Sequence, residues 1–288
     1  MSEISKAILV TGCSTGIGRA TAQRLAKAGH VVYATARREE SVADLRELGA
    51  RTLALDVTDE ASMQAAVERV VAEQGAVGAL VNNAGYSQSG ALETVPMADL
   101  RRQFETNVFG LVRMCQLVLP GMRAQRWGRI VNISSMGGNF TFPGGGAYHA
   151  TKYAVEALSD ALRFEVKGFG IDVVIIQPGL IHTEFAATAT HGLSAPSATE
   201  GPYAAFNAAV GTATEEVYNN RALAKLGGGP DTVAKAVEKA ITAKRPPVRM
   251  RVTPSARLLI GTRKLMSDRM WDRLMATQFP RPDAKSAV

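Results

Sequence analysis

The chain has 288 residues, 46% hydrophobic and 20% charged, with 33 Lys and Arg against 26 Asp and Glu, a formal charge of +7. This balance excludes a disordered or collagenous chain, and the length suffices to bury a large core. No run approaches the ~18 consecutive apolar residues of a membrane span, and the two cysteines, Cys13 and Cys115, are too few for a disulfide framework.

The N-terminus runs directly into a strand-like segment with no apolar leader, so no signal peptide and a cytoplasmic location are expected. Short apolar runs rich in β-formers recur at Ile8–Val10, Val31–Tyr33, Leu53–Leu55, Ala79–Val81, Ile130–Ile133 and Val173–Ile176. Helical spacing lies between them: Leu45 and Leu48; Val67, Val70 and Val71; Leu100, Phe104, Val108 and Leu111. Nearly all-apolar strands alternating with helices predict an α/β doubly wound fold, its parallel sheet covered on both faces. Ligands are then expected at the carboxyl ends of the strands.

Pro178–Gly179 breaks the pattern, and residues 184–228, rich in Ala, Thr, Ser and Gly, read as a C-terminal substrate lid. Residues 231–243 read as a helix closed by Arg245-Pro246-Pro247, and Val248–Val252 as a seventh strand. Residues 255–279 form a C-terminal helical extension. It carries Leu258, Leu259, Leu265, Met266, Met270, Trp271, Leu274 and Met275 among Arg257, Arg263, Lys264, Arg269 and Arg273. No repeat or linker interrupts the chain, so one domain over 1–288 is expected.

Thr11-Gly12-Cys13-Ser14-Thr15-Gly16-Ile17-Gly18 follows the first strand and opens a helix. Glycines there permit tight turns and close approach to a pyrophosphate, and the helix N-terminus favours an anion. Cys13 reads as a small residue of the loop. A site for NAD(H) usually places a carboxylate about 20 residues beyond the glycines. Here the second strand ends Thr35-Ala36-Arg37-Arg38. Two arginines before a helix start suit a bound anion such as a 2′-phosphate, so NADP(H) is preferred to NAD(H). The alternative is a pair of solvated arginines neutralised by Glu39 and Glu40.

Tyr148-His149-Ala150-Thr151-Lys152 sets Tyr and Lys at i and i+4, on one helical face. A neighbouring ammonium lowers a phenol pKa of about 10 and suits Tyr148 to general acid–base work. Ser135 follows the strand Arg129–Ser134, Asn82-Asn83-Ala84-Gly85 follows the fourth strand, Asn107 lies in the next helix, and Pro178-Gly179-Leu180-Ile181-His182-Thr183 follows the sixth.

In this order the motifs resemble the short-chain dehydrogenase/reductase family, over residues 6–183 motif by motif. The resemblance implies a single-domain Rossmann fold with a seven-stranded parallel sheet. It implies Tyr148 as proton donor or acceptor, Lys152 as its pKa modulator and ribose ligand, and Ser135 as a hydrogen-bond partner of the substrate oxygen. Asn107 would hold a relay water, or serve as a buried helix-kink residue. The cofactor set would be Gly12, Ser14, Thr15, Gly16, Ile17, Gly18, Arg37, Arg38, Asp56, Val57, Asn83, Ala84, Gly85, Tyr148, Lys152, Pro178, Gly179, Ile181 and Thr183. Val32–Arg37 resembles the 17β-hydroxysteroid and retinol dehydrogenase branch, whose matching Arg reads the 2′-phosphate. One departure is Thr15, where some NADP-binding members carry Lys or Arg, so Arg37 must do most of the discrimination.

The expected activity is hydride transfer between NADP(H) and a ketone or secondary alcohol of moderately apolar character; the alternative is a non-catalytic NADP(H)-binding sensor or scaffold. Tyr86, Gly138, Phe140, Phe142 and Pro143 are candidate pocket walls, with Phe140 and Phe142 first, and His182 is a candidate for its border. His149 is expected to be partly exposed. Residues 255–279 are expected to pack over the pocket or against a partner subunit rather than on a membrane. The expected partners are a small-molecule substrate and, by the resemblance, further copies in a homodimer or homotetramer. No metal or nucleic acid is expected.

Overall fold

The computed structural model describes residues 3–183, 193, 199–219 and 226–282. Seven parallel strands form one sheet: β1 (Ile8–Val10), β2 (Val32–Ala36), β3 (Arg51–Ala54), β4 (Ala79–Asn82), β5 (Gly128–Ile133), β6 (Ile171–Gln177) and β7 (Arg249–Arg251). Their order is β3-β2-β1-β4-β5-β6-β7, a Rossmann-like α/β arrangement. The helices are α1 (Gly16–Lys27), α2 (Glu60–Gln74), α3 (Met97–Phe104), α4 (Gly110–Ala124), α5 (Gly146–Val166), α6 (Ala204–Asn219), α7 (Pro230–Thr242), α8 (Pro254–Leu265) and α9 (Asp268–Ala276).

Both faces of the sheet are covered, as its apolar strands require. On one side α1 and α7 set Ala22, Leu25, Val233 and Val237 against Ile8, Val10, Val174 and Ile176. On the other, α2, α4 and α5 set Met63, Val70, Met114, Val118 and Val155 against Leu9, Leu80 and Ile130. A buried polar chain joins the central strands to α5. Asn82 Nδ2 donates to Asn132 Oδ1 at 2.9 Å, and Asn132 Nδ2 donates to Ser159 Oγ at 2.9 Å.

Several boundaries depart from the apolar runs. The second strand begins at Val32, leaving Val31 40% exposed, and continues through Ala36, because Ala34, Thr35 and Ala36 pair with Thr52, Leu53 and Ala54. The third begins at Arg51; on a sheet edge its outward positions need no apolar side chain. The last strand is the polar Arg249–Arg251, likewise at an edge. Leu45 and Leu48 belong to a 3₁₀ segment, Glu39–Leu48, rather than an α-helix. The helix containing Asn107 is interrupted by a π turn, Glu105–Phe109, between α3 and α4.

Part of the expected lid, residues 184–192, 194–198 and 220–225, lies outside the described residues. Its described part is mainly α6, whose Phe206 and Val210 pack with Ala91. The C-terminal extension folds back over the strand ends, as α8 and α9 place Ala256, Ile260, Trp271 and Met275 against Met136 and Phe140. Among the described residues no helix is long and apolar enough to cross a membrane.

Gly110 opens α4 where the helix meets the turn after β3: a Cβ there would lie 2.4 Å from the Val57 carbonyl oxygen. Alanine in place of a helical glycine ordinarily gains about 1 kcal/mol. Here the backbone clash outweighs that gain, and Gly110→Ala should destabilise the fold by about 1–3 kcal/mol in chemical denaturation.

Candidate active site

β1 and β4 lie side by side at the centre of the sheet, and the chain leaves them toward opposite faces. A cavity of about 890 Å³ opens at their carboxyl ends. It is lined by Gly12, Ser14, Thr15, Gly16, Ile17, Arg37, Asp56, Val57, Asn83, Ala84, Gly85, Ser135, Tyr148, Lys152, Pro178, Gly179, Ile181 and Thr183. Of the sequence-predicted set, Gly18, Arg38 and Asn107 are not among its walls.

The glycine loop is shaped by contacts from both sides. Gly12 and Gly16 have φ of +71° and +58°, which only glycine adopts without strain. Gly18 acts by close packing instead: a Cβ there would fall 2.2 Å from the Gly12 carbonyl oxygen and 2.4 Å from Asn83 Nδ2. Asn83 Nδ2 donates to the carbonyls of Thr11 and Gly12, each at 2.9 Å, and Thr11 Oγ1 accepts from the backbone N–H of Asn83 and Ala84, each at 3.0 Å. Thr11, assigned no role from sequence, is thus half of the clamp joining the two central strand ends.

At the start of α1 the N-cap Thr15 makes no side-chain cap bond, and no acidic residue occupies the first turn. The first N–H groups and the positive helix end are left for an anion, the arrangement a dinucleotide pyrophosphate needs. Cys13 is fully buried, its Sγ donates to the Val10 carbonyl at 3.3 Å, and burial pushes its thiol pKa up to about 12. It therefore remains a thiol.

Arg37 is exposed at the cavity wall and makes no ion pair among the described residues. Of Glu39 and Glu40, the two neighbours that could have neutralised it, Glu39 instead pairs with Arg46 and accepts from Thr52 Oγ1 at 2.7 Å. Arg38 does not line the cavity; its backbone caps the 3₁₀ segment, with its carbonyl accepting from Ser41 Oγ at 2.7 Å. Asp56 forms a local turn, its Oδ1 accepting from Thr58 N at 2.9 Å.

On the other side of the cavity, Tyr148 and Lys152 stand one turn apart on α5, with Nζ 5.7 Å from the phenol ring centroid. Lys152 is buried and its Nζ donates to the Ile133 carbonyl at 2.8 Å. Burial lowers its pKa to about 8, opposed by the nearby Glu156 carboxylate. Ser135 caps the short turn Met136–Gly138, and its Oγ accepts from Gly137 N at 3.0 Å. A hydroxyl used as acceptor there keeps its proton for another partner.

Asn107 is a brace. Its side chain is 1% exposed. Its Oδ1 accepts from Tyr86 N at 3.1 Å, while Nδ2 donates to Tyr86 O at 2.9 Å and to Thr151 Oγ1 at 3.1 Å. Both ends of the amide are engaged with protein, so the side chain itself does not reach the cavity.

Three expectations about the pocket are corrected. His149 is buried, 6% exposed, not partly exposed. Its Nδ1 donates to the Gly137 carbonyl at 2.9 Å and its Nε2 accepts from Phe142 N at 3.3 Å, a pattern that requires the neutral ring; burial also lowers its pKa. Phe140 is core, 1% exposed, with its ring 5.4 Å from that of Trp271; Phe142 and Pro143 line the cavity, whereas Phe140 and Gly138 do not. His182 is exposed and lies outside the cavity wall.

The cavity is also lined by residues outside the family motifs. Tyr86, Ser87, Ser89, Arg102 and Thr106 come from the β4–α4 region, Val210 and Thr214 from α6, and Leu259, Leu274, Met275 and Phe279 from the C-terminal helices. Of these, Tyr86 was expected as a pocket wall, Val210 and Thr214 fall in the expected lid, and the C-terminal residues fall in the segment expected to pack over the pocket; Ser87, Ser89, Arg102 and Thr106 were not expected.

The family model described as short chain dehydrogenase matches residues 6–194. A 3-ketodihydrosphingosine reductase of Bacteroides thetaiotaomicron is 39% identical over 259 residues, covering 89% of this chain and 91% of that protein. An NADPH-dependent 3-dehydrocapnine reductase of Ornithobacterium rhinotracheale is 34% identical, covering 92% of this chain and 94% of that protein. A solved short-chain dehydrogenase of Streptomyces avermitilis is 35% identical with a TM-score of 0.76, covering 95% and 96% of the two chains. With its nucleotide cradle, its Ser–Tyr–Lys cluster and these relatives, the chain belongs to the short-chain dehydrogenase/reductase family and is an NAD(P)-dependent oxidoreductase.

Proposed function

We propose that the protein uses NADP(H) and interconverts a ketone and a secondary alcohol on a moderately apolar small molecule, with Tyr148 as general acid and base. The observation that carries this reading is one continuous cavity, walled at one end by the glycine loop and Arg37 and at the other by Ser135, Tyr148 and Lys152. The names of the two reductase relatives support the reducing direction, and one supports NADPH. The likeness of Val32–Arg37 to the 17β-hydroxysteroid and retinol dehydrogenase branch supports the role given to Arg37.

The bare first turn of α1 and the glycine loop would hold the pyrophosphate, Asp56 and Val57 the adenine, Asn83 to Gly85 the adjoining ribose, and Ile181 and Thr183 the carboxamide. When bound, the nicotinamide supplies or accepts the hydride. Ser135 presents its free hydroxyl proton to the substrate oxygen and supports the charge that develops there. Tyr148 gives that oxygen a proton in reduction and removes one in oxidation. Lys152, fixed by the Ile133 carbonyl, holds an ammonium beside the phenol and stabilises the phenolate. The apolar outer wall, with Phe142, Val210, Leu259 and Phe279, suits the apolar body of the substrate. Exposed Phe109, Leu158 and Phe164 on the segment before α4 and on α5 support a homodimer or homotetramer through these elements.

Three measurements test the reading. Tyr148→Phe should abolish turnover across a panel of aldehydes, quinones, cyclic ketones and steroids while NADPH affinity, read by fluorescence titration, stays nearly unchanged; wild-type rates would refute the assigned chemistry. Arg37→Ala should weaken NADPH about tenfold to a hundredfold more than NADH, since a hydrogen bond to a charged group is worth about 1.5–3 kcal/mol. An equal loss for both cofactors would remove Arg37 from the 2′-phosphate site. Burial disfavours the ammonium of Lys152, so it is charged below a pKa of about 8 and neutral above it. The kcat/KM for carbonyl reduction should accordingly fall as pH rises through that value, and a flat profile up to pH ~10 would contradict its role, since an unperturbed lysine titrates only near ~10.4.

A further inference from the structure

The C-terminal helices have two differently occupied sides. Inward, Ala256, Ile260, Trp271 and Met275 are core, and Leu259, Leu274 and Phe279 wall the cavity. Outward, Leu258 and Leu265 are 56% and 87% exposed, and their seven-residue spacing places them two turns apart on one stripe of α8. Met270, at the start of α9, is 49% exposed. Arg257 and Lys264 are exposed and repeat the same spacing directly beside the leucine stripe, and Arg269 and Arg273 are exposed one turn apart on α9. From 254 to 279 there are five basic residues against Asp268 and Asp272, and Asp268 is already paired with Arg263.

We propose that this face docks the enzyme on an anionic lipid surface, from which an apolar substrate passes into the cavity that the same helices roof. Leucine side chains can enter the acyl boundary while the adjacent Arg and Lys keep their charges at the headgroups, the division of labour of an interfacial helix. Basic residues near an anionic leaflet add attraction that salt weakens. Pairing of two copies through the stripe would set Arg257 and Lys264 against the same cations of the other copy, so charge favours an anionic occupant. Continuity with the cavity favours a lipid surface over an acidic protein. Leu259, next to the outward Leu258, lines the cavity, and Gln278, just past α9, both lines it and is exposed, so the cavity reaches the surface at this helix pair. The docking stands on these helices alone; the passage of substrate rests on the function proposed above.

The test is co-sedimentation of the full chain with vesicles of phosphatidylcholine, with and without phosphatidylglycerol, at low and at physiological salt. The wild type should sediment with the phosphatidylglycerol vesicles and remain in solution with phosphatidylcholine alone, binding less at higher salt. Leu258→Asn with Leu265→Asn, and separately Lys264→Glu with Arg269→Glu, should each lower the bound fraction at least tenfold at limiting lipid. Both should keep their Tm and the wild-type rate on a small water-soluble ketone. Tyr148→Phe should bind vesicles like the wild type, which separates failure of docking from failure of the catalytic reading. Wild type that stays in solution at low salt, or leucine variants that bind undiminished, would overturn the proposal. So would a wild-type dimer in light scattering that the leucine variants convert to monomer, which would make the stripe a contact between copies.

Discussion

The clamp between the ends of β1 and β4 is the constraint on which the rest depends. Two neighbouring parallel strands whose chains depart to opposite faces leave a crevice between them. Four hydrogen bonds between the Thr11–Gly12 and Asn83–Ala84 segments fix its floor. Gly18 lets α1 approach that floor, since any Cβ there would strike the Gly12 carbonyl. The bare first turn of the helix is thereby aimed into the crevice, and no acidic side chain competes for it. The nucleotide end of the cavity follows from backbone placement, and Arg37 adds an exposed positive charge at its wall.

The chemical end follows from the register of one helix. Successive residues of α5 are rotated by about 100°, so one turn serves several neighbours. Tyr148 and Lys152 face the cavity; His149 turns to the Gly137 and Phe142 backbone; Thr151 meets Asn107; Glu156 accepts from Gln177 Nε2 at 2.9 Å and from Arg249 Nε at 3.0 Å. Burying an ammonium is costly unless it is paired or hydrogen-bonded. The Ile133 carbonyl and the Glu156 carboxylate compensate Lys152 only in part, which is why its pKa remains depressed. The register that holds Lys152 beside Tyr148 also braces the turn carrying Ser135.

What could be read from the sequence was whatever local spacing encodes. The glycine loop, the Tyr148–Lys152 pair and the alternation of apolar runs are each set within a turn or a strand, and the sheet and its order of elements follow. The edges were less legible. β7 is Arg-Met-Arg because a border strand is not buried on every side, and β2 outran its apolar run because Thr35 is buried with its hydroxyl donating to the Val10 carbonyl at 2.9 Å. His149 and Phe140 were misplaced for one reason. Their surroundings come from distant chain: Phe140 is covered by Trp271, and His149 by the Gly137 and Phe142 segments folding back on α5. No periodicity within the sequence reports such a meeting.

That covering contact makes the C-terminal extension part of the candidate site's architecture. Trp271 packs on Phe140 and Phe142, with centroids 5.4 Å and 6.5 Å away, and its Nε1 donates to the Thr141 carbonyl at 3.2 Å. His149 holds the opposite side of the same segment. The wall between Ser135 and Tyr148 is therefore gripped from α5 on one side and from α9 on the other. It carries three glycines, Gly144 to Gly146, that do little to stiffen it. A segment so poor in intrinsic rigidity keeps its shape through such outside contacts. The cavity is for this reason a joint product of the first 183 residues, which place Ser135, Tyr148 and Lys152, and of the last helices, which fix the wall between Ser135 and Tyr148.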